Sequence, residues 1–175
     1  MIKRLLLPAF VGVATAVGCS SSSAGPTCTP FQADTGDFAG YHAWPLTTSF
    51  NSPAIPSSPH TSGPRSIYLN QAPPSGATEF PVGTIIVKDI GPGPATADVT
   101  LAMVKDGCGF NADGAAGWEW YDLQNNSDGS TSIVWHGAEP PAGSTYAGDP
   151  TSCNTCHAQA ASNDYVETWP LLSSF

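Results

Sequence analysis

The chain has 175 residues, in which 14 Asp and Glu outweigh 5 Lys and Arg for a formal charge of −9. Only 11% of the residues are charged, against about a quarter in ordinary globular proteins, and 18 Gly and 17 Pro predict a neutral-polar, loop-rich protein of low helix content. Such an acidic field excludes nucleic acid as a partner, and the length suits one domain with a core rather than two.

At the N-terminus, Lys3 and Arg4 precede an apolar stretch from Leu5 to Val17, and Ala16-Val17-Gly18 stand ahead of Cys19. This is the form of a signal peptide over residues 1–18, too short for a bilayer span of about 20 residues. Cys19 directly after Val-Gly resembles a bacterial lipoprotein cleavage box, with Ala16 where Leu is more usual. On that reading Cys19 carries lipid and residues 19–30, with the run Ser20 to Pro26, form a flexible tether. The folded domain then covers 31–175. The expected location is the outer membrane of a Gram-negative bacterium, anchored by lipid and facing the periplasm or the cell surface. A plain periplasmic protein is the alternative. Without residues 1–18, three cations (Arg65, Lys88 and Lys105) face fourteen acids, a net charge of −11.

Beyond the tether, scattered aromatics (Phe31, Phe38, Tyr41, Trp44, Phe50) allow a short helix near Asp37 to Trp44. Asn51 to Pro64, with prolines at 53, 56, 59 and 64, reads as an extended loop. Five short segments follow: Ser66–Asn70, Gly83–Ile90, Ala97–Lys105, Trp118–Leu123 and Thr131–Trp135. They are β-branched or aromatic and are separated by Gly, Pro, Asn and Asp. The expected fold is therefore mainly β (α+β), an antiparallel sheet with a few short helices.

After Pro150 the chain reads Cys153-Asn-Thr-Cys156-His157, the Cys-x-x-Cys-His pattern of covalent haem attachment. On one helical turn two thiols reach the two vinyl groups of a porphyrin, and the adjoining imidazole becomes an axial ligand of the iron. One haem c, carried near the C-terminus, is the expected cofactor. The competing readings are half of a zinc site, for which the sequence lacks a second ligand pair, and a redox dithiol. With Cys19 lipidated and Cys153 and Cys156 committed, Cys28 and Cys108 remain, and an oxidising compartment predicts a disulfide between them.

No Met or His follows His157, so any sixth iron ligand comes from upstream. Met103 lies in an apolar run where packing explains it. His42, His60 and His136 are the other candidates, and His136 follows Trp135 at a strand end. The expected state is five-coordinate iron with an open distal side, where a small molecule binds. Lys88 shares a strand face with Thr84 and Ile86, opposite Ile85, Val87 and Asp89. Its amine either projects beside the cofactor or snorkels at a sheet rim.

The order of Arg65-Ser-Ile-Tyr-Leu-Asn70, Phe80-Pro-Val-Gly-Thr-Ile-Ile-Val-Lys88, Met103-Val-Lys-Asp106, Gly117-Trp-Glu-Trp-Tyr121, Cys153-Asn-Thr-Cys-His157 and Asn163-Asp-Tyr-Val166 resembles the cytochrome P-460 family. The resemblance covers roughly Arg65 to Val166. It implies a mainly antiparallel β fold, often homodimeric, with one c-type haem on a proximal His, here His157. It also implies an oxidoreductase that acts on hydroxylamine or nitric oxide and hands electrons to a periplasmic partner. In the enzymatic members a Lys at the position of Lys88 is joined to the porphyrin, which makes Lys88 both a cofactor-binding and a catalytic candidate. Relatives of the cytochrome c-prime-beta type lack that bond and bind nitric oxide or carbon monoxide without catalysis. A plain electron carrier is the third function class. Oxidation of a substrate requires a proton acceptor, and Glu119, Asp122 and His136 stand in strand or turn positions to serve.

Overall fold

The computed structural model describes residues 27–52, 63–91, 99–144, 146–148 and 152–167. The expected signal peptide, Cys19, most of the tether and His60 lie outside them. Among the described residues one antiparallel sheet of six strands dominates. It comprises β1 (Leu46–Ser52), β2 (Gly63–Leu69), β3 (Ile85–Ile90), β4 (Val99–Lys105), β5 (Trp118–Asn125) and β6 (Thr131–Gly137), each beside its neighbour in sequence. Segments with apolar residues on both faces make a sheet that is covered on both sides, and two apolar clusters do so here.

The first cluster joins Tyr68, Ile85, Val87, Ala102, Val104, Tyr121 and Leu123 to Ala33, Phe38 and Tyr41 of the N-terminal segment. That segment is fastened by the Cys28–Cys108 disulfide, with Cα atoms 5.4 Å apart, and by the Phe31 N–H donating to the Asp106 carbonyl. The second cluster, on the opposite face, joins Ile67, Leu69, Ile86, Met103, Trp118 and Trp120 to Phe80, Ala115 and Val166. Strand alternation puts Lys88 on this second face, where it pairs in register with Ile67 and Leu101.

The structure departs from expectation at two places. Strand β1 was not expected, since Leu46-Thr-Thr-Ser-Phe-Asn-Ser carries little apolar pattern; it pairs antiparallel with β2 at the end of the sheet. The helix expected near Asp37 to Trp44 is instead two short 3-10 turns, Thr35–Phe38 and Tyr41–Ala43. Gly40 between them has φ +68°, a left-handed conformation that no helix continues through. The Cys-x-x-Cys-His residues form a single helical turn, α1 (Cys153–His157), passing into a 3-10 turn over Ala158–Asn163. Among the described residues no helix is long and apolar enough to cross a membrane.

Candidate functional site

The second face of the sheet and α1 flank a partly open cavity. Its walls are Ile67, Ile86, Leu101, Met103 and Trp120 from the sheet and Val166 from the C-terminal segment, with Trp135 beside them. Trp135 reaches this wall through a register shift. Asp122 pairs with Trp135 and Leu123 with Ile133, so Val134 is an extra residue, and the bulge turns Trp135 to the face opposite Ile133. Lys88, Cys153, Cys156 and His157 all line the same cavity.

The turn that carries the cysteines is pinned from two sides. Ser152 caps α1, its hydroxyl accepting the Thr155 N–H at 3.2 Å. Asn154 is tied more closely. Its Oδ1 accepts from Asn111 Nδ2 (2.8 Å), the Trp120 indole (2.9 Å) and the Ala115 N–H (3.1 Å), while its Nδ2 donates to Asn111 Oδ1 (2.9 Å) and the Ala138 carbonyl (3.1 Å). Gly114 makes room for this amide, since a Cβ there would collide with it. Nothing local in the sequence distinguishes Asn154 from a spacer between the cysteines.

His157 Nδ1 lies 2.6 Å from the Tyr165 carbonyl. A carbonyl only accepts, so Nδ1 carries the hydrogen and Nε2 keeps its lone pair, the arrangement in which a protein orients a ligating imidazole. Burial, with Lys88 adding to it, pushes the His157 pKa down to about 4. The neutral, metal-binding form therefore prevails at ordinary pH. Burial likewise pulls Lys88 down to about 8; Arg65 acts in the same direction, while Glu167 and the two cysteines oppose it. The thiols move the other way. Burial, with Glu139 for Cys153 and Glu167 for Cys156, raises them to about 12 and about 11. Reactive dithiols have lowered values, so these two are poor redox nucleophiles.

The candidate proton acceptors separate. Glu119 and His136 lie on the opposite face of the sheet, a correction to their expected place beside the cofactor. Glu119 is 2% exposed and accepts from the Tyr121 hydroxyl (2.7 Å) and from His136 Nδ1 (2.8 Å). The His136 ring stacks on Tyr121 with centroids 5.1 Å apart. In β5, Glu119 alternates with Trp118 and Trp120, and that period-2 rule turns its side chain to the other face; neither Glu119 nor His136 lines the cavity. His42 is also on the far face, bonded to the buried Asp89 at 3.1 Å. Asp122 falls on the cavity side, in register with Leu101 and Trp135, and burial raises its carboxyl above the usual range. Met103 lines the cavity between its register neighbours Ile86 and Trp120. Among the described residues no group of three or more His, Cys, Asp or Glu is arranged to hold a bare metal ion.

The residues present suit a haem. Two thiols and an imidazole with a free Nε2 sit on one turn at the edge of an apolar cavity, which also takes in one amine. Comparison of the chain with protein-family models, with curated proteins and with solved structures returns no match.

Proposed function

We propose that this chain is an exported c-type monohaem protein that acts on small nitrogen oxides at an open iron site. The observation that carries the reading is the convergence of Cys153, Cys156, His157 and Lys88 on one apolar cavity. Cys153 and Cys156 would hold the haem covalently and His157 Nε2 would ligate the iron. The haem supplies a centre that binds small molecules such as hydroxylamine or nitric oxide and exchanges single electrons.

The protein's own residues do the rest. Ile67, Ile86, Leu101, Trp120 and Trp135 exclude water. Lys88 presents an amine that loses its proton readily, suited to a bond with the porphyrin as in the cytochrome P-460 family. Asp122, whose raised carboxyl is closer to neutral pH than a free one, would take protons released by a substrate. Electrons would pass to a periplasmic partner, and Cys19 would anchor the chain to the membrane by lipid. The motif resemblance supports hydroxylamine or nitric oxide as the substrate class and a homodimer as the assembly.

A second reading is favoured by Met103, whose thioether also lines the cavity. As a sixth ligand it would make the protein an electron carrier. A haem without a Lys88 bond would make it a nitric oxide or carbon monoxide binder.

The optical spectrum of the mature protein, reduced and then exposed to carbon monoxide, separates the three. Catalysis predicts carbon monoxide binding and a red-shifted ferrous Soret band that Lys88→Ala returns to normal. A normal band with carbon monoxide binding selects the gas binder, and low-spin iron that refuses carbon monoxide selects the carrier. Mature protein made in a host competent for cytochrome c maturation that lacks the mass of a haem overturns the reading.

A further inference from the structure

Two consecutive residues after the haem motif are left-handed: Asp164 at φ +51° and Tyr165 at φ +66°. For residues other than glycine this conformation is strained, and it persists only where the surroundings impose it. Here they do. Asp164 Oδ1 accepts from Lys105 Nζ at 2.6 Å, and Oδ2 accepts the Phe80 N–H at 2.8 Å. Both members of the ion pair are buried, at 5% exposure each. Lys105 ends β4 and is itself confined. Its Nζ lies 5.0 Å from the centre of the Trp118 ring, and Gly117 leaves it space that a Cβ would crowd at 3.2 Å. The Tyr165 N–H donates to the Ala160 carbonyl at 2.9 Å, which completes the turn and aims the Tyr165 carbonyl at His157 Nδ1.

We propose that Lys105 and Asp164 are positioning residues for His157: their buried ion pair fixes the left-handed turn whose carbonyl sets the tautomer and aim of the imidazole. A buried pair contributes little net stability against its desolvation, so its effect here is geometric. It ties the segment that follows the haem motif to the sheet that walls the cavity. The bond to Tyr165 strengthens Nε2 as a donor and so favours the more oxidised iron. This inference rests on the reading of His157 as the iron ligand.

The test is made on the mature haem-loaded protein, by the iron–histidine stretching frequency of the reduced form and by the reduction potential. Asp164→Asn tolerates the left-handed backbone but removes the charge. The Lys105→Met/Asp164→Asn double variant removes both charges and leaves neither buried alone, so it carries the test if the single variant does not fold. Both are expected to lower the stretching frequency. Both are also expected to shift the oxidised-to-reduced equilibrium by about tenfold towards reduced iron, about 59 mV for one electron. Lys105→Arg keeps the pair and the wild-type values. Folded, haem-loaded variants with unchanged frequency and potential overturn the inference, even where their melting temperature falls, since a merely structural pair moves only the latter. A wild-type protein without pigment overturns the proposed function instead. The inference is then read from the ¹⁵N signals of His157: an Nδ1–H tautomer kept in both variants overturns it, and a change to Nε2–H upholds it.

Discussion

The amide oxygen of Asn154 accepts the indole N–H of Trp120 at 2.9 Å across 34 residues, so the residue between the two cysteines is bolted to the wall of the cavity they border. Through Asn111, Ala115 and Ala138 the same amide also holds the β4–β5 connection and the chain beyond β6. The Cys153–His157 turn is thus placed by a side chain that does not itself line the cavity.

Asn154→Ala leaves the Trp120 indole, the Ala115 N–H and Asn111 without their acceptor, and is expected to cost about 2–4 kcal/mol. Urea denaturation measures the loss, and intact mass should show a smaller haem-bearing fraction. Gly114→Ala, which displaces the same amide, should reproduce both effects. A Gly114→Ala protein of wild-type stability would contradict this account.

Lys88 titrates near pH 8 in the fold, below the value of about 10.4 for a free lysine. In Cys153→Ala/Cys156→Ala protein, which cannot attach haem, acylation of Lys88 followed by peptide mass should rise about tenfold per pH unit up to about pH 8 and then level. Because the folded value is depressed, the charged amine opposes folding. That penalty is full below pH 8 and lifts as pH climbs towards 10.5, the direction in which the unfolded chain holds more protons.

Glu119→Ala removes the acceptor shared by Tyr121 and His136, and should destabilise by about 1–3 kcal/mol. Because the trio lies across the sheet from the haem motif, the reduced and carbon monoxide spectra should stay as in the wild type. A shifted spectrum at unchanged stability would place Glu119 at the iron after all. Asp122→Asn is expected to do the reverse, lowering turnover of hydroxylamine while leaving the denaturation midpoint within about 0.5 kcal/mol of the wild type.

The Cys28–Cys108 bond closes a loop spanning 80 positions. Replacing both cysteines by serine should cost about 4 kcal/mol, read as a lowered melting temperature. The haem mass should be retained, because the N-terminal segment covers the face away from the cavity.

Much of the architecture was legible in order along the chain. β-Branched and aromatic runs bounded by Gly, Pro, Asn and Asp marked β2 to β6, and the period of two in a strand put Lys88 on the face of Ile86. Edge strand β1 was not legible, since its sequence shows little apolar periodicity. Of the site, Cys153, Cys156 and His157 are local in sequence and could be read directly. Lys88 could be singled out by scarcity and resemblance. Asn154, Asp164 and the Tyr165 carbonyl carried no signal, because what each does depends on partners elsewhere in the chain: 16 to 43 residues away for Asn154, 59 and 84 for Asp164, and 8 for Tyr165.

By itself the sequence determined the strand segments, the Cys-x-x-Cys-His turn and the pairing left for Cys28 and Cys108. All of these are matters of spacing and of elimination along one chain. Only the tertiary structure decided which side of the sheet each acid and histidine occupies. It sent Glu119, His136 and His42 to one face and gathered Lys88, Met103, Asp122 and His157 on the other. The reason is physical: alternation says that neighbours in a strand part company, but which face becomes the cavity is settled by what packs against it. Here the N-terminal segment fills one side, and the short α1 turn, held by Asn154 and by the Lys105–Asp164 pair, stands off from the other.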